Sequence, residues 1–348
     1  MYKFLLIIGI VIFFVSCGNE VKDGVASKIL IQDTTISQQE KEFIEINQLL
    51  KADVNNAFLY LRRAYLYKKY EDVASAVSDV DRAIKVDSLQ PEFYLLKAEL
   101  LKQEFKLVAA KDVLDQVMFI DNENLKARIE LGWLALVARD YKQALAYADA
   151  VLKRDVYNAE AYFLKGLIFE DKGDTTFAIS SFTTAIEQEN DYYDAYIHLG
   201  LLHLKQGSFK LAKGYLKNAL RVAPKSLEAL YAFALVCQDK GDYNEAIAIY
   251  HTILTMDKFA EPYFNLGFIH QEYLKVYSVA IENYTKAIEI EPNYLNAYYN
   301  RALCYEQQEE LNAAEKDLRT ALRLDPQYTN AALVLERVLN SITEKRKS

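Results

Sequence analysis

From about residue 38 onward, apolar residues recur at three- and four-residue spacings, and short polar breaks interrupt them at regular intervals. In "YIHLGLLHLKQGSFKLAKGYLKNALRVAP" (Tyr196 to Pro224), one apolar stripe runs into the break KQGS and a second runs into a proline. Such spacing places apolar side chains on one face of a helix, whereas a half-buried strand would alternate over a shorter run. The break carries glycine, which tolerates the left-handed conformation that ends a helix. The proline stops the second helix because it lacks the N–H that would continue it. Each such stretch therefore predicts two antiparallel helices. Glycine (11) and proline (5) are scarce over 348 residues, which fits a chain that is nearly all helix.

The script recurs. "YFNLGFIHQEYLKVYSVAIENYTKAIEIEP" (Tyr263 to Pro292) and "YYNRALCYEQQEELNAAEKDLRTALRLDP" (Tyr298 to Pro326) repeat it almost position for position. Units run at 57–90, 91–124, 125–158, 159–192, 193–226, 227–259, 260–294 and 295–328, six of them 34 residues long. The eighth residue of every unit is Gly or Ala, from Ala64 to Ala302. Between the helices alanine recurs eight times, from Ala76 to Ala314, and the position four residues later is always apolar. This resembles the tetratricopeptide repeat, whose 34-residue pattern is W-x2-L-G-x2-Y, A-x3-F, P. The resemblance covers 57–328. It implies an all-α fold, a right-handed α-α superhelix of about eight helix pairs in which the small eighth residue faces the alanine of the second helix. One pair cannot bury its apolar face alone, so neighbours must stack and the ends need caps. "SQQEKEFIEINQLLKAD" supplies one: Ser37 and Glu40 form a capping box for a helix from about 38 to 52, within a cap at 37–56. "TNAALVLERVLNSITEK" supplies the other, at 329–344. The extra residue of the seventh unit is expected in its inter-helix turn, around "EYLKVYS".

The first residues obey a different pattern. One cation, Lys3, precedes twelve apolar residues (Phe4 to Val15), too few to span a bilayer and about right for an export signal. The run ends at "FVSC", which resembles a bacterial lipobox of the form found in the Bacteroidota. That resemblance implies cleavage after Ser16, a signal peptide at 1–16, lipidation of Cys17 and a polar tether at 17–36. Several acyl chains would hold the protein stably, since one alone gives only marginal binding. Gly18 after the cysteine favours the outer membrane by resemblance to enteric sorting, with the periplasmic or surface face left open.

Composition and motifs narrow the chemistry. The chain is 52% hydrophobic and 26% charged, ample for a core. Its formal net charge is −8, and only the terminal "EKRKS" is basic, which argues against nucleic acid as a partner. No phosphate loop, dinucleotide fingerprint or G-x-S-x-G elbow is present, so no cofactor and no enzymatic activity are expected. His198 and His203 are five apart, off one helical face, so no metal site is expected; His203 and His270 occupy core places. Cys237 and Cys304 read as small buried hydrophobes.

Surface remains. In the tetratricopeptide fold the first helices line a concave groove, with their fifth and ninth residues pointing in. Ile129, Trp133 and Leu136 form one i, i+4, i+7 stripe there, and Ile197, Leu201 and Leu204 another. Phe163, Leu167, Tyr231 and Phe268 fall at equivalent places. Helical or extended peptides dock on such stripes. The fifth residues include no Lys and the ninth no Asn, which departs from the family members that clamp a C-terminal carboxylate. Acids recur at the second place (Glu160, Asp194, Glu228, Glu261), where they complement a helix dipole and could attract a basic partner. The expected function is a lipid-anchored scaffold or assembly factor gripping a polypeptide. The alternatives are an adaptor recruiting a soluble periplasmic hydrolase or protease, and a surface protein binding a ligand or glycan.

Overall fold

The computed structural model describes residues 37–346, so the export signal, Cys17 and the tether lie outside the described residues. Within that range the protein is a right-handed superhelix of eight antiparallel helix pairs between two single helices, with no strand among the described residues. The N-terminal helix spans Gln38–Ala52, and Ser37 and Glu40 close a capping box on it. The C-terminal helix spans Thr329–Lys345.

Packing within a pair depends on small residues. All eight inter-helix alanines, Ala76 to Ala314, are fully buried, and so is the residue four places on, from Val80 to Leu318. Where the eighth residue is Gly166, Gly200 or Gly267, it also makes room for the large side chain four residues beyond the alanine. A Cβ at Gly200 would fall 2.5 Å from Leu216 Cγ, and at Gly267 2.7 Å from Tyr284 Cε1. In the third repeat the facing residue is Ala148, too small to fill the space, and Leu164 of the next repeat reaches Gly132 instead.

Every turn within a helix pair contains one left-handed residue. Gly173, Gly207 and Gly241 take this conformation at φ 71–91°, and Glu71, Phe105, Arg139, Lys275 and Glu309 take it at φ 56–61°. The left-handed turn is thus a property of the stack, imposed even where the sequence offers no glycine.

The seventh repeat corrects the expected site of its extra residue. Its turn, Leu274 to Val276, has ordinary length. The insertion lies in the first helix, which ends in a π turn, Ile269–Tyr273. Widening one turn absorbs a residue without breaking the helix. Tyr284 donates to Gln271 in this turn at 2.7 Å, so the widened segment is tied to the second helix.

A shared polar cluster marks the first and last repeats. Arg63 forks onto Asp79 (2.5 and 2.7 Å), and Arg301 onto Asp317 (2.7 and 2.9 Å). Each guanidinium lies near two tyrosine rings, Tyr60 and Tyr67 or Tyr298 and Tyr305. Each also donates to the preceding layer, through Asn47 or Thr285. Planar, bidentate pairing under an aromatic lid suits arginine and not lysine.

Candidate functional site

The first helices lie side by side along the concave face. The third runs Leu125–Val137, the fourth Ala159–Asp171, the fifth Tyr193–Lys205 and the sixth Leu227–Lys240. Because a residue recurs on one helical face every three to four places, fifth and ninth residues both point inward. In the third to fifth repeats the structure separates the two rows. Ile129, Phe163 and Ile197 are only 2–4% exposed and are spent on packing between repeats. The ninth residues Trp133, Leu167, Leu201 and Phe268 are partly exposed, as are Leu136, Leu204 and Tyr231. The accessible apolar floor is therefore narrower than the pattern implied: it follows the ninth row in the third to fifth repeats and takes in the fifth residues Tyr231 and Phe264 beyond them.

Trp133 sits between two core layers and approaches Phe163 at 6.0 Å between ring centres. Phe163 in turn contacts Phe182, Tyr192 and His198. Tyr231 accepts a hydrogen bond from Asn265 Nδ2 at 2.9 Å, and burial pushes its hydroxyl up to about 12. Phe268 meets Tyr273 of the π turn edge-on.

Ion pairs join successive first helices along the groove. Lys68 reaches Glu99, Lys102 reaches Glu130, and Glu306 takes both arms of Arg337 at 2.7 Å. Glu170 contacts His198 Nδ1 at 2.7 Å, while the His198 ring stacks on Phe182 at 4.9 Å. This imidazole had no assigned role in the sequence, although its place one repeat beyond an acid at the helix end was visible there. His203 is buried and stacks on Tyr215, and burial lowers its pKa. His270 is held by the Leu266 carbonyl at 2.8 Å. Cys237 and Cys304 are buried free thiols, pushed up to about 11 and about 12 by burial. Among the described residues no group of three or more His, Cys, Asp or Glu could hold a metal ion, and no helix is long and apolar enough to cross a membrane.

The fold and groove define a class: the tetratricopeptide solenoid, whose members mediate protein–protein contact and peptide binding. Family comparison points the same way. The tetratricopeptide repeat matches residues 295–328 and 129–195, and the TPR repeat matches 276–309. Residues 178–253 match "Anaphase-promoting complex, cyclosome, subunit 3". Among curated proteins, the chain is 26% identical over 248 residues to the DnaJ homolog subfamily C member 7 homolog of Dictyostelium discoideum, covering 70% of this chain and 41% of that one. The chain spans between 41% and 61% of the length of the first curated relatives it matches. Among solved structures it is similar to the APC/C hetero-tetramer Cut9-Hcn1 (TM-score 0.56, 20% identity, 87% of this chain and 60% of that chain). It is also similar to a tetratricopeptide repeat protein from Parabacteroides merdae (TM-score 0.51, 18% identity, 72% and 98%). At these identities the likeness is one of fold.

Proposed function

We propose that this protein is a lipid-anchored interaction scaffold or assembly factor at a bacterial cell envelope, gripping a polypeptide in its concave groove. One observation carries the groove reading: the ninth residues Trp133, Leu167, Leu201, Leu235 and Phe268 of successive first helices leave a row of apolar side chains partly open to solvent, while the fifth residues Ile129, Phe163 and Ile197 are packed. Apolar side chains in a concave row lose water when a partner covers them, which is the main source of peptide affinity in such grooves. The anchor rests on "FVSC" alone. Its cysteine would begin the mature chain and fix the solenoid to a membrane, with the outer membrane favoured by Gly18.

A photo-crosslinking residue placed at Leu201 or Leu235 in the parent cell tests the groove, with Val108 and Leu211 on second helices as exposed controls. A discrete adduct from the groove positions and none from the controls is expected. Adducts of equal yield from both faces, or from the controls only, would reject the groove as the contact surface. For the anchor, Cys17→Ala is expected to leave an unprocessed precursor without an acyl label. A normally processed, soluble variant would overturn it.

A further inference from the structure

Resting on the anchor reading above, we propose that the edge formed by the turns of repeats two to five lies against the anionic bilayer surface that holds Cys17, with its apolar side chains seated among the headgroups. Three observations meet on this edge. The first is where the chain enters. Glu42 and Phe43, in the first half of the N-terminal helix, meet the end of the next helix. Glu42 accepts hydrogen bonds from Lys69 at 2.8 Å and Tyr70 at 3.0 Å, and Phe43 lies against Tyr67 and Tyr70. The N-terminal helix therefore begins at the turn edge, and residues 17–36 join the solenoid there. Even fully extended they span at most about 70 Å. The opposite edge lies one helix length further away, about 20 Å for 13 or 14 residues.

The second observation is apolar. Phe105, Val108, Val137, Phe177 and Leu211 stand in or beside the turns of repeats two to five, each more than half exposed. Phe105 is held at φ 58°, a conformation that suits glycine and strains phenylalanine, yet its ring is 71% exposed and serves no core. Strain kept at an exposed aromatic points to a contact outside the solenoid. Neighbouring turns form one surface: Tyr141 of repeat three donates to Asp171 of repeat four at 2.6 Å, and Arg139 lies 3.8 Å from the same carboxylate.

The third observation is charge. The turns of the first five repeats (68–75, 102–109, 136–143, 170–177 and 204–211) hold nine Lys and Arg against seven Asp and Glu. The five junctions at the opposite edge (85–92, 119–126, 153–160, 187–194 and 221–228) hold six against eleven. A chain of net charge −8 thus keeps its more cationic edge beside the point where the tether enters. Lys142, Lys205 and Lys210 are exposed on that edge and enter no ion pair among the described residues. The opposite edge also exposes Leu89, Phe119 and Tyr157, but its excess of acids is repelled by an anionic surface. Apolar side chains gain by entering the interface, and nearby cations add attraction that fades within a Debye length. The lipid supplies the first attachment, so a contact too weak to hold a free protein is enough to orient an anchored one.

The test uses the full chain, expressed with its signal in the parent cell and reconstituted into phosphatidylglycerol vesicles. Brominated acyl chains in these vesicles quench a tryptophan only where it enters the bilayer. Trp133→Phe removes the one native tryptophan, and Phe105→Trp or, on the opposite edge, Phe119→Trp supplies the probe. Both positions are exposed, so neither replacement disturbs the core. Flotation and an acyl label report the anchor separately. Emission from Phe105→Trp is expected to fall on brominated lipid and that from Phe119→Trp to stay unchanged. The loss is expected to shrink in Lys142→Gln/Lys205→Gln/Lys210→Gln and as salt rises. If the labelled protein floats and Phe105→Trp keeps its emission, the anchor stands and the docked edge is wrong. Equal quenching at both positions would overturn the choice of edge. A loss that the lysine variant leaves unchanged would overturn the choice of an anionic surface. A chain that carries no acyl label and does not float would remove both readings.

Discussion

Gly166 and Gly214 lie in neighbouring repeats, and the structure predicts opposite signs for the same substitution. At Gly166 an added Cβ would lie 2.4, 2.5 and 2.9 Å from Cε1, Cδ1 and Cγ of Phe182. Carbon atoms settle at about 3.5–4.0 Å, so the ring or the helix must move by roughly 1 Å. The ring has little freedom: Phe182 is fully buried, with Phe163 at 5.4 Å and the His198 ring stacked at 4.9 Å. Overpacking of this kind costs about 1–3 kcal/mol, and the upper half applies where the neighbours are themselves held. Alanine returns about 1 kcal/mol of helix propensity, which leaves a net loss of about 1–2 kcal/mol for Gly166→Ala. At Gly214, inside the second helix Phe209–Val222, nothing lies within 4 Å of the added Cβ. Gly214→Ala therefore keeps the propensity gain alone, about 1 kcal/mol of added stability. Urea unfolding followed by far-UV circular dichroism compares the two variants, and hydrogen exchange over 159–226 shows whether the change is local to these repeats. A Gly166→Ala variant as stable as wild type would refute the steric argument. A destabilised Gly214→Ala variant would refute the propensity argument.

Three further outcomes are expected. Asp317→Ala leaves the guanidinium of Arg301 buried without its counter-ion and should cost about 3–5 kcal/mol, whereas Arg301→Met with Asp317→Leu should be near neutral; thermal melting separates the two. Phe105→Gly relieves a left-handed residue in an exposed turn and should stabilise by about 0.5–1 kcal/mol in the same melts, because part of the relief is offset by the freedom glycine adds to the unfolded chain. Hydrogen bonds from Lys69, then Gln38 and Tyr70, lower the Glu42 carboxyl to about 2 in the folded protein. A depressed carboxylate stabilises above its unfolded pKa near 4.5 and loses that contribution as pH falls toward 2. The N-terminal helix should thus loosen across that window, and Glu42→Gln should make it loosen at neutral pH, read by proteolysis near residue 52.

Much of the fold was legible because the repeat writes its packing into residue size. Ala76 and its seven equivalents must be small, and nothing else tolerates that place. What faces what was less legible. Spacing shows that Gly200 and Ala212 are both small but not that Gly200 faces Leu216, since that depends on how the helices cross. Spacing also cannot divide an inward face into packed and open rows: Ile197 and Leu201 look alike in the sequence, yet one is covered by the adjoining repeat. Glu71 and Phe105 give no sign of a left-handed conformation, because the helices on either side impose it. The arginine clusters were readable in retrospect. Tyr60, Arg63, Tyr67 and Asp79 recur as Tyr298, Arg301, Tyr305 and Asp317 at identical spacing. Their resemblance shows only when the first repeat is set against the last.

The π turn of the seventh repeat has a consequence for how such a chain can change length. The linker at 257–259 is one residue shorter than its counterpart at 189–192, and the π turn is one residue longer than an ordinary helical end. The two cancel. Ala302 stands 238 residues after Ala64, seven whole periods of 34, as though nothing had been lost or gained between them. Because each repeat touches only its neighbours, a slip in phase need persist only until the next place that can take it up, here within about one helix. The solenoid behaves like a text with local error correction: a deletion and an insertion close together leave every later line in step, and the eighth repeat reads as if the seventh had never moved.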